Sequence, residues 1–85
     1  MTTYIDSHKM GGSLKKGEIT PERLKEIQNA PKDKFGITHH DLLYNKEGDT
    51  IYCILNAPDK QSVIDHHKQA GIECEWIQEV ESARL

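Results

Sequence analysis

His8, His66, His67, Glu73 and Glu75 are the residues through which this chain could do chemistry. Imidazole and carboxylate together suit a borderline divalent ion such as nickel, zinc or iron. The local doublets are weak signals. Neighbours on a helix point ~100° apart, so one ion is not expected to use both His66 and His67. His39 and His40, on a strand, face opposite ways. His67 shares a helical stripe with Val63, Ile64 and Ala70, where a histidine is also read as a hydrogen-bonded core residue with Asp6 as its partner. His66 falls on the flank and reads as solvated. Cys53 and Cys74 form no CxxC pair and both sit in apolar strand patterns, so they read as reduced, buried thiols. Without cysteine ligands a structural zinc site is not expected.

The elements that must position these groups are clearest between Phe35 and Gly71. Apolar residues alternate through Leu42, Tyr44, Ile51, Cys53 and Leu55 around a polar turn, Asn45 to Asp49, in which Gly48 can take a positive φ. This is a hairpin. Pairing Asn45 with Thr50 puts His40, Leu42, Tyr44, Ile51, Cys53 and Leu55 on one face, expected to carry the helices. The reverse holds His39, Asp41, Leu43, Tyr52, Ile54 and Asn56. A helix from about Asp59 to Ala70 is closed by Gly71, and Ile72 to Val80 supplies a last strand. Before the hairpin, Met1 to Met10 reads as a strand with Tyr4, Asp6, His8 and Met10 on one face. Gly11 to Gly17 reads as a mobile loop, and Thr20-Pro21-Glu22 opens a helix ending near Ala30, ahead of Pro31. Ser82 to Leu85 read as a frayed end.

The order β-α-β-β-α-β gives an α+β, ferredoxin-like sandwich: a four-stranded antiparallel sheet with two helices on one face, in a single domain over residues 1–85. Right-handed crossovers place the first strand between the third and fourth. Cys53 and Cys74 are then two strand intervals apart, roughly 9 to 10 Å, too far for an intramolecular disulfide.

Composition narrows the function. A net charge of −3 with scattered Lys and Arg argues against nucleic acid. Residues 1–20 lack the apolar run of a signal peptide and no segment reaches the ~20 apolar residues of a membrane span, so no membrane partner and a cytoplasmic location are expected. With 35% hydrophobic residues the core is thin, and the uncovered sheet face, bearing Leu43, Tyr52 and Ile54, is expected to form a homodimer. No Gly-rich loop opens directly into a helix after a strand, so phosphate cradling is not indicated. The competing reading is a small dimeric α+β barrel enzyme or ligand-binding protein acting on a small organic molecule, with Trp76 and Tyr44 lining an apolar pocket. Catalysis is the less favoured of the two.

Asp6-Ser7-His8, Thr20-Pro21-Glu22, the run Tyr52 to Asp59 with its Cys-x-x-x-Ala-Pro segment, Val63 with His67 and Gly71, and Ile77 to Glu81 together resemble a family of small ferredoxin-like proteins. That family, long of unknown function, includes a nickel-responsive, nickel-binding dimer. The resemblance covers most of the chain and implies a nickel-type metal-binding homodimer, with Asp6, His8 and His67 matching the family's residues. The topology independently brings the end of the first strand, the end of the second helix and the start of the last strand to one end of the sheet. A divalent metal site is therefore expected from His8 and His67, with Asp6 and Glu75 as oxygen ligands or as outer partners of the imidazoles.

Overall fold

A computed structural model of the protein describes residues 1–83; Arg84 and Leu85, part of the expected frayed end, lie outside the described residues. Six elements follow in order: β1 (Thr2–Lys9), α1 (Pro21–Gln28), β2 (Thr38–Asn45), β3 (Thr50–Ala57), α2 (Lys60–Gln69) and β4 (Trp76–Val80). The sheet order is β2-β3-β1-β4, antiparallel throughout, and the fold is the ferredoxin-like α+β sandwich. β1 is central, so its alternation decides what lies under the helices. Tyr4, Asp6 and His8 point there with Ile51, Cys53 and Leu55, against Val63 of α2; the alternation of polar and apolar residues along the strand does not by itself decide this face.

Local chemistry explains the boundaries. Thr20 Oγ1 accepts from the Arg23 N–H to cap α1 (3.2 Å), and Asp59 Oδ1 accepts from the Ser62 N–H to cap α2 (2.8 Å). β4 is shorter than expected. Residues 72–75 are not strand, and pairing begins only where the Glu75 N–H donates to Ser7 O (2.7 Å).

Three further expectations are corrected. First, β2 carries a bulge between His39 and Asp41, so His39 stands opposite Leu55 on the helix-bearing side and His40 is exposed. An uninterrupted period of two had put His40 there. Second, the left-handed residue of the hairpin turn is Asp49 (φ 51°), not Gly48. Third, the Gly11–Gly17 loop is tied down. Asp49 Oδ2 accepts from the Gly12 N–H (2.5 Å), and its Oδ1 accepts from the Leu14 and Lys15 N–H groups (3.1 Å each), holding Leu14 in the core at 2% exposure.

Candidate metal centre

Asp6 stands opposite Cys53 on β3 and Ile77 on β4, in the middle of the sheet and with no exposed surface. Two residues on, His8 faces the same way, and its Nδ1–H donates to Asp6 Oδ1 (3.0 Å). Above them α2 presents His67, one turn past the buried Val63. The His67 Nδ1–H donates to the Val63 carbonyl (2.8 Å), which fixes the ring and leaves Nε2 3.3 Å from Asp6 Oδ1. Gly71, at φ 74°, then turns the chain off the helix. The following segment is pinned at both ends, by the Ile72 N–H on His67 O (2.9 Å) and the Glu75 N–H on Ser7 O (2.7 Å), and so carries Cys74 to the same place.

The result is a group of Asp6, His8 and His67, all buried, and half-buried Cys74, whose donor atoms all lie within 4.8 Å of one another. Ligand bonds of ~2.0–2.3 Å place even opposed donors no more than about 4.6 Å apart, so a small inward movement would close the group around one ion. Two imidazoles, a thiol and a carboxylate form a donor set of intermediate softness, which suits nickel, zinc or iron. A further observation points the same way: Asp6 Oδ2 is buried without a hydrogen-bond partner among the described residues, an acceptor left free where such groups are nearly always satisfied.

Of the residues expected from the sequence, Asp6, His8 and His67 are brought together and Glu75 is not. Strand alternation turns Ser7 away from its neighbours Asp6 and His8, and the exposed Glu75 follows Ser7, accepting from its Oγ (3.2 Å). Cys74 takes the place expected for Glu75. It lies in the segment before β4, half-buried instead of sealed in a strand, so the expectation that no cysteine stands near these residues is corrected. The usable signal was its distance from Gly71: three residues past the end of a helix, a cysteine is still crossing the end of the sheet where His8 lies. Both cysteines are free thiols.

His66 is not simply solvated. It pairs with Asp33, and its ring lies against both His67 (5.1 Å between centroids) and His39 (5.5 Å). With His8 against His67 at 4.9 Å, four of the five histidines form a continuous row from β1 to β2.

Electrostatics in the group are tightly coupled. Burial works against charge on Asp6, but the hydrogen bonds from His67 and His8 outweigh it and hold the carboxyl below its ordinary range. Burial likewise disfavours charge on His67, yet the bonds to Asp6, Cys53 and Cys74 raise its pKa. His8 is also raised against burial, by Asp6 and Cys74. Cys74 is lowered against burial, by His67 and His8, whereas burial dominates at Cys53 and raises it. His39 moves the other way, to about 4, through burial and then the neighbouring charges of His66 and His67.

The family model described as nickel responsive protein, SCO4226-like, matches residues 4–80. The chain belongs to this family. The matched span includes every donor of the group in this SCO4226-like protein. The crystal structure of SCO4226 from Streptomyces coelicolor A3(2) matches with a TM-score of 0.70 and 24% identity, over 95% of this chain and 98% of that one, a likeness of fold. No curated protein matches the sequence.

Proposed function

We propose that this protein binds a divalent metal of the nickel type through Asp6, His8, His67 and Cys74, and acts as a cytoplasmic homodimer in metal sensing or buffering. The observation that carries this reading is the four-donor group, three of its members buried, with its unpartnered Asp6 Oδ2. Membership of a nickel responsive family supports it. The Nδ1–H bond of His67 to Val63 O is the kind of outer contact that fixes a ligating imidazole, leaving Nε2 to coordinate. A bound cation would take over the role of the imidazolium charge now facing Asp6, and the site's chemistry would be retention of the ion.

Calorimetric titration of the metal-free protein with nickel, and separately with zinc, tests the proposal. Saturable binding should weaken by about tenfold or more in His8→Ala, His67→Ala and Cys74→Ser, while Glu75→Gln and His40→Ala stay near the native affinity. Because imidazoles bind metal only when neutral, affinity should fall with pH. Unchanged affinity in the His8→Ala, His67→Ala double variant would remove the site.

A further inference from the structure

Between α2 and the edge strand β4 lies a groove of about 600 Å³ whose inner wall reaches two donors of the metal centre, His67 and Cys74. Along α2, Lys60, Ile64 and Lys68 succeed one another every fourth residue and so form one stripe on the groove wall. Ile72, Trp76 and Ile77 line it as well. Ile64 is 38% exposed and Trp76 42%, large apolar surfaces left in water. Neither lysine ammonium has a hydrogen-bond or salt-bridge partner among the described residues. Glu73 is the one carboxylate in the lining, so the exposed charges are two cations to one anion in a chain whose net charge is −3.

We infer that the groove binds a small organic carboxylate with an apolar body, its tail against Ile64, Ile72 and Trp76 and its head on Lys60 or Lys68. The volume falls within the ~300–1,000 Å³ of small-molecule sites, and a few polar groups on an apolar wall are the usual composition of such a site. Charge complementarity sets the class. An apolar body alone would leave both ammoniums idle, and a cation would meet them as like charges. A carboxylate head can form a charge-assisted bond with a Lys ammonium while its tail removes Trp76 and Ile64 from water. The side chains assigned to tail and head, Ile64, Ile72, Trp76, Lys60 and Lys68, lie outside the donor group, so the contacts proposed need no metal.

Trp76 is the only tryptophan of the chain, so the groove carries its own reporter. Metal-free protein is titrated with octanoate while Trp76 emission is followed, with calorimetry in parallel so that a silent fluorophore is not mistaken for an empty groove. Octanamide serves as the uncharged control. Saturable octanoate binding is expected, roughly five- to tenfold weaker in Lys60→Gln, Lys68→Gln, with octanamide binding weakly and equally to both proteins. Ile64→Asp should abolish the response while circular dichroism shows native structure. Absence of both heat and emission change up to about 10 mM octanoate would overturn the inference. Equal octanoate affinity in the native and double-glutamine proteins would do so too.

Discussion

Asp6 carries more of this protein than any other single side chain. One of its oxygens serves two imidazoles and the other serves none, all without exposed surface. Removing one member of a buried charged pair strands the other, so Asp6→Asn should destabilise the metal-free protein by ~3 kcal/mol at neutral pH. The pH dependence follows from the two displaced pKa values. Asp6 is held below 3.8, so its contribution is present above that value and is lost as pH falls through the folded value. His67 is raised above 6.5, so its contribution is present below 6.5 and is lost as pH rises through the raised value. The gap in melting temperature between the native protein and Asp6→Asn should therefore be full near pH 6 and shrink below pH ~4; a gap that widened in acid would contradict this pairing. Asp6, His8 and His67 were legible together because the strand period puts Asp6 and His8 on one face and the topology brings the end of that strand to the end of α2. Cys74 was not, since a short crossover has no period and its β-forming neighbours imitate a strand.

At the level of elements, the hairpin turn does more than reverse the chain. Asp49 takes the left-handed conformation itself, which short polar side chains tolerate, and thereby aims its carboxylate at three backbone N–H groups of the loop after β1. Asp49→Asn keeps the turn but replaces one acceptor oxygen by a donor. Melting should drop by a few degrees, and amide exchange at Gly12, Leu14 and Lys15 should accelerate relative to α2. Equal exchange in the two proteins would show that Leu14 alone holds the loop. The position of the hairpin turn, the Thr20 cap and the ends of both helices could be read to within two residues from Thr20, Asn45, Asp59 and Gly71 and their surroundings. The bulge at His40 could not, because an extra residue in a polar strand end leaves the hydrophobic alternation of Leu42 onward intact. This one residue reassigned His39 from the open face to the row of histidines.

For the molecule as a whole, the sheet has a face that no helix covers, on which Leu43 is 49% exposed and Tyr52 and Ile54 are half-buried. The proposed homodimer would use it, and Ile54→Lys should shift sedimentation toward the monomer because the new charge would be buried without a partner. A fully dimeric variant at low concentration would move the interface elsewhere. The architecture was the most legible feature, since two crossovers and one hairpin leave few arrangements open to six elements. The hairpin also divides the chain into a β1-α1-β2 half and a β3-α2-β4 half, and the donor group is split with them: Asp6 and His8 fall in the first, His67 and Cys74 in the second. Neither half alone owns more than two of the four donors. Two peptides cut at the exposed turn between Glu47 and Gly48 would each bind a divalent ion weakly, and the ion should favour their reassociation, so that nickel would behave as a molecular glue for a severed protein. In the intact chain the same partition means that the proposed ion could be held only once β1 has docked against the half that carries α2.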